Sequence, residues 1–468
     1  MMNGILTRTH AGIIALVVAL ISGSPLPGAK PANDSLEMGL ATVCITPKKP
    51  LWMQGYASRP RYQAFESVFD DIYAKALAVR DSDGRSAVLI TVDLCALRPA
   101  EEKLLTGHIM ANTGLKRGQI MLNMSHTHAA PIFGPSDLSR NPMKDEDRRR
   151  TLAYTDRLGP LLAKAAKEAL EDLRPASVSW GIGAGPDFIV NRRVYDKDGN
   201  YVKMGPNRKA WTDRRVHVLR ISDPQGKVRG VLFGVACHPV TLGSRALKMS
   251  ADFPGWAMKH VEETYPGAQA MFLQGCGADV NSHPRANDQQ YEWIQRHGAA
   301  LGKVVCRVLQ GKLKPVRGPF HTEFHRVNLP LQSVPTREEL EKRTKGRVQH
   351  SFNAKLMLKM LDRGETPPGQ YRAPLAMWQF GKDLTLVGLS GEVVSDYIRL
   401  VERELGAERL WVSGYNNQVF GYLPSRRIVK EGGYEARGLV SSGVGWFASE
   451  AEDVLLQEVR EMAERAGR

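Results

Sequence analysis

Residues 86–94, 101–114 and 119–125 constrain the fold of this chain more than any other stretch. The first, SAVLITVDL, is β-branched and apolar throughout, as a buried strand requires. EEKLLTGHIMANTG follows with helical character and ends at Gly114, and QIMLNMS returns to strand. The three form a β-α-β unit, and His126 and His128 follow at the carboxyl end of its second strand. In open α/β sheets, sites gather at that edge. If the strand continues, residues i and i+2 share a face and the two imidazoles project side by side. The residues alone leave three readings open: metal ligands, acid–base groups, or polar side chains on a solvated edge.

The rest of the chain extends the α/β pattern. A helix is predicted over about 154–173, and residues 214–239 read as a hairpin turning at Asp223-Pro224-Gln225-Gly226. Residues 253–265 are helical, and 268–281 form a strand breaking into a glycine-rich loop. Thr336 and Glu339 form a capping box that opens a long basic helix towards Arg363. A second hairpin turns at Gly381-Lys382-Asp383, and a helix over 448–466 closes the chain. With 468 residues, 43% hydrophobic and 24% charged, the chain can bury one large core. The expected fold is α/β: a single large domain with mixed β-sheets and flanking helices, its candidate site residues, metal-ligating or otherwise, at strand ends.

The N-terminus stands apart. Arg8 and His10 precede an apolar run from Ala11 to Ile21, and small residues and prolines follow. That order fits a secretory signal over residues 1–29, and the run is short for a membrane span, which needs roughly 20 apolar residues. The expected location is therefore exported, periplasmic or extracellular. Cys44, Cys95, Cys237, Cys276 and Cys306 are odd in number, scattered and without a CxxC, so they read mostly as small buried hydrophobes, with one disulfide left open. The net charge of +15 favours anionic surfaces such as phospholipid headgroups. It is spread along the chain with no helix-turn-helix, RNP or zinc-finger pattern, so no nucleic-acid partner is expected.

Further polar residues end apolar strands. His238 closes VACHP and Glu392 follows TLVGLSG, while Gly275, Gly277, Asp279, Asn281 and Ser282 lie in one loop. Each has an ordinary structural alternative: a hydrogen-bonded core histidine, an acid in the first turn of a helix, and a tight turn. A carboxylate there can equally ligate a metal or accept a proton, and glycines let backbone N–H groups approach a substrate.

NMSHTHAAP, VNRRV, ACHPVT, QGCGADVN, SGEVV and FGYLPS with GGYE occur in an order that resembles the catalytic domain of the neutral (alkaline, non-lysosomal) ceramidase family, over about residues 38–446. The resemblance implies one Zn2+ per chain, held by His126, His238, Glu392 and Tyr422. It implies that His128 is a catalytic, substrate-contacting group and that Arg192, after Asn191, binds the developing oxyanion or a substrate oxygen. Tyr434, twelve residues beyond Tyr422, matches a second participating tyrosine. Residues 30–468 would form this one domain, with no C-terminal immunoglobulin-like domain.

Two departures shape the functional expectation. Asn281 stands where the family has a catalytic serine, and asparagine donates a hydrogen bond but is no nucleophile. Ala129-Ala130 replace a serine-glycine pair. The expectation is an exported zinc amidohydrolase that cleaves an N-acyl bond in a ceramide-like lipid or other acylated amine with a zinc-activated water. Zinc hydrolysis of an ester or acylated sugar, or a non-catalytic binding role on the same fold, are the alternatives. Oligomeric state is not encoded in any motif.

Overall fold

The computed structural model describes residues 34–56, 59, 63–141, 143–285, 290–345, 348–440 and 442–468; the signal segment expected over 1–29 lies outside them. Strand alternation builds four layers. In Tyr73–Asp81, Ala74, Ala76 and Ala78 face one cluster while Leu77 and Val79 face another. In Gln370–Phe380, Leu375 and Met377 point one way and Ala376, Trp378 and Phe380 the other. Side-chain period 2 thus gives each sheet two apolar faces. Two sheets meet across one shared core, with Trp180, Leu219 and Leu232 on one side and Trp378, Leu386 and Trp411 on the other. Helices cover both outer faces, as stacked apolar sheets demand.

The larger sheet has nine strands. Eight run from Gln269–Gln274 through Val228–Val235, Arg215–Ser222, Arg174–Ala184, Leu36–Cys44, Tyr73–Asp81 and Ser86–Val92 to Ile120–Met124, and the ninth, Lys314–Val316, pairs with Arg174–Ala184. Ser86–Val92 and Ile120–Met124 are parallel, joined by the helix Pro99–Thr113, as the β-α-β pattern requires. Val228–Val235 and Gln269–Gln274 form a second parallel pair. The smaller sheet orders Phe320–Pro330, Gln370–Phe380, Leu384–Gly388 and Leu410–Ser413, the last two parallel. Both predicted hairpins form. The fold is the mixed α/β domain that the sequence implies.

Two helices differ from expectation. The one expected from 154 begins earlier, at Asp145–Glu171, where Asp145, Glu146 and Asp147 place negative charge in its first turn. The single basic helix over 336–363 is two, Arg337–Thr344 and Val348–Asp362; the Thr336–Glu339 capping box opens the first. All five cysteines are free thiols, four buried and Cys44 exposed, so no disulfide forms. Among the described residues, no helix is long and apolar enough to cross a membrane.

Candidate metal centre

Parallel strands deliver their carboxyl ends to one place, and a buried polar layer fixes them there. Asn123 Nδ2 donates to Gly414 O at 2.9 Å, and Gln274 N donates to Asn123 Oδ1 at 2.8 Å. Gln274 Nε2 reaches Ser125 O and Cys237 O, both at 2.9 Å. Four strand ends from both sheets are tied through two amides. Above this layer stand His126, His238 and Glu392.

The His126–His128 pair corrects one expectation. The strand stops at Met124, and His126 adopts the left-handed region at φ 66°, so the histidines sit on a loop and not on one face of a strand. They converge regardless: His128 Nε2 lies 3.1 Å from His126 Nε2. A non-glycine residue held in that region costs energy, which the surrounding contacts must supply. Val92 O and Leu94 O do so by accepting from Ser125 N and His126 N.

His126 Nε2 and His238 Nε2 lie 3.4 and 3.3 Å from Glu392 Oε2. Their Nδ1 atoms face carbonyl oxygens, Cys95 O at 2.5 Å and Gly277 O at 2.6 Å. A carbonyl only accepts, so each Nδ1 carries the ring proton and each Nε2 turns a lone pair inward. Two lone pairs and a carboxylate pointing at one volume repel unless a cation fills it. Without one, His126 is pushed up to about 10: burial opposes its charge, but Cys95 and Glu392 outweigh burial. Burial likewise opposes ionisation of Glu392, yet the charge and hydrogen bonding of His126 and His238 hold it well below the carboxylate range. His238 falls to about 4 through burial and Arg192, and His128 is lowered by burial and the other two histidines. Nitrogen–nitrogen–carboxylate donors with carbonyl backing could hold a divalent cation such as zinc.

Glu392 is not the helix-start acid of the alternative reading. It begins the short strand Glu392–Val393, paired in register with Tyr422–Leu423, so Tyr422 lies directly beside it. The Tyr422 hydroxyl accepts from Arg192 Nη2 at 3.3 Å. Arg192 also donates to Glu435 Oε1 at 2.8 Å and to Asn281 Oδ1 at 3.2 Å. Asn281 pairs with His238 through an isolated bridge, and the Tyr434 ring packs edge-on to Tyr422 at 5.6 Å. All eight sequence-predicted residues therefore join one connected group. Three elements of it were not anticipated. Glu435 pairs with both Arg192 and Arg193, and Glu431 with Arg193; the Arg-Arg doublet inside an apolar strand is the sequence clue. Tyr415 lays its ring 4.6 Å from that of His126, and Tyr56 stacks edge-on to His128 at 4.7 Å. Neither tyrosine had a local sequence mark.

No family model matches the sequence. Solved structures do match in fold. Neutral ceramidase from Pseudomonas aeruginosa superposes with a TM-score of 0.69 at 18% identity, covering 92% of this chain and 74% of that one. A ceramidase complexed with C2 gives 0.69 and 18%, over 92% and 75% of the two chains. The chain has the neutral ceramidase fold.

Proposed function

We propose that this protein is an exported zinc-dependent hydrolase that cleaves N-acyl amides of lipid-like substrates. The observation that carries the reading is the convergence of His126 Nε2, His238 Nε2 and Glu392 Oε2 at the meeting point of strand ends in this fold. Tyr422, beside Glu392, completes the ligand set. When bound, zinc supplies Lewis acidity that brings the pKa of a water to about 7 and polarises a carbonyl.

The chain's own residues do the rest. Arg192, fixed by Glu435 and facing the Tyr422 hydroxyl, is placed to hold the negative charge that grows on the carbonyl oxygen. Tyr434, its ring edge-on to that of Tyr422, would act beside it. His128, neutral and next to His126, can carry a proton to the departing amine. Asn281 spends its side-chain oxygen on Arg192 and so positions it, which favours attack by water over an acyl-enzyme route. Export rests on the sequence of residues 1–29, and the net charge of +15 suits an anionic membrane surface.

Elemental mass spectrometry of purified protein should find about one zinc per chain, as a mononuclear site holds. His126→Ala should lose that zinc and all release of fatty acid from N-acyl amides. Full zinc in the variant would overturn the ligand assignment.

A further inference from the structure

Two pairs of arginines near the centre differ in kind. Arg192 and Arg193 share Glu435, at 2.8 and 2.5 Å, and Arg193 also reaches Glu431 at 2.9 Å. Arg59 and Arg285, on the His128 side, pair with no carboxylate among the described residues. Arg59 is buried and gives its hydrogen bonds to Ala246 O at 2.7 Å and to His128 O at 2.6 Å, with Met53 Sδ at 3.3 Å. Its Nε has no hydrogen-bond partner among the described residues. Arg285 is half-buried and donates to Val240 O at 2.9 Å and to the Tyr56 hydroxyl at 2.7 Å.

Both guanidinium groups lie over the same ring, Tyr56, at 5.3 and 5.5 Å from its centroid, and that ring touches His128. Asp252 is the acid whose charge reaches Tyr56, but it is fully buried, with its carboxylate taken by Leu242 N and Phe253 N. On the outer side, His283 is flanked by Arg208 and Arg285, which adds more positive charge. Two cations beside one ring repel, and burying Arg59 with no counter-ion among the described residues is costly. The forked geometry of arginine suits a carboxylate or phosphate.

We propose that Arg285, backed by Arg59, holds an oxyanion of the substrate beside His128, so that the preferred amide is acidic, its amine portion bearing a carboxylate or phosphate. This deepens the amide-hydrolase reading and rests on it. Arg285 contacts Tyr56, which packs on His128, whereas Arg192 contacts Tyr422, so leaving-group recognition and stabilisation of the carbonyl oxygen fall to different residues.

The test compares zinc-loaded protein on three amides of one acyl chain: N-lauroylglycine, N-lauroylethanolamine phosphate and neutral N-lauroylethanolamine. The anionic substrates should be favoured in kcat/KM, and the better of the two identifies carboxylate or phosphate as the ligand. In Arg285→Ala the anionic-to-neutral ratio should fall about 10- to 100-fold, the scale of a charge-assisted hydrogen bond, with part retained in Arg285→Lys. No preference in the native protein, or one that survives Arg285→Ala, overturns the proposal. If no amide is turned over, the hydrolase reading fails separately, and calorimetry of the two anions decides. Binding weakened by Arg285→Ala upholds the oxyanion site; absent or unchanged binding sinks it.

Discussion

Trp180 and Trp411 flank the imidazole of His217, nearly parallel at 2° and 14° and with centroids 6.1 and 5.2 Å away. Burial pushes this histidine down to about 4, against an opposing pull from Asp213. The folded state therefore keeps it neutral while the unfolded chain protonates it below 6.5. The stability it permits is full above pH 6.5 and declines as pH falls towards 4. His217→Phe preserves the stack and removes the titration, so at pH 5 it should unfold about 2 kcal/mol less readily, relative to native protein, than at pH 7. Denaturant midpoints at both pH values check this; an equal difference at both rejects it. A second residue acts by having no side chain. Gly55 sits at φ 105°, and a Cβ there would lie 2.4 Å from His128 Cγ. Gly55→Ala should lower amide hydrolysis on the order of 100-fold by displacing His128, with zinc content unchanged. Loss of zinc instead would mean that the whole loop has moved. Neither role is written locally: a glycine and a lone histidine look the same in a loop as in a core.

At the scale of elements, the helices Asp252–Thr264 and Glu292–Gln310 approach closely because Gly298 and Gly302 offer no side chain. A Cβ at either position would meet Trp256 Cβ at 2.3 Å or His260 Cβ at 2.7 Å. Gly298→Ala should overpack this contact and cost about 1–3 kcal/mol despite its better helix propensity, which a lower urea midpoint would register. A raised midpoint would refute the packing argument. The segment after Thr336 shows what pattern alone misses. Its capping box was readable because it is complete within four residues, but its division into two helices was not. Leu340 and Met357 share one cluster with Val444 and Trp446. On one straight helix they would stand about 26 Å apart, at 1.5 Å per residue. The distant residues that reward folding back, Val444 and Trp446, lie far along the chain. The early start of Asp145–Glu171 was legible in its three acids and simply lacked apolar periodicity.

For the whole molecule, the centre is a clamp between the two sheets. His126 and His238 follow strands of the larger sheet, while Glu392 follows one of the smaller, 154 residues beyond His238. An ion bound only in the folded state stabilises it, by about 4 kcal/mol at a thousand times its Kd. Removing zinc with a chelator should therefore lower the melting temperature by about 4 °C for a chain of this size. An unchanged Tm would show that the donors are not bridged by metal. The sequence by itself determined the strand and helix types, the two hairpins, the mixed α/β class and the residues that stand at strand ends. Apolar period and turn chemistry act over about ten residues, and a chelating residue type is visible wherever it falls. Only the tertiary structure decided that His126 turns out of its strand, that Glu435 and Glu431 rather than solvent balance Arg192 and Arg193, and that Arg59 and Arg285 meet no carboxylate among the described residues. Charge compensation and ligand convergence depend on which strand ends meet, and that follows from long-range packing of two sheets, not from neighbours in the chain.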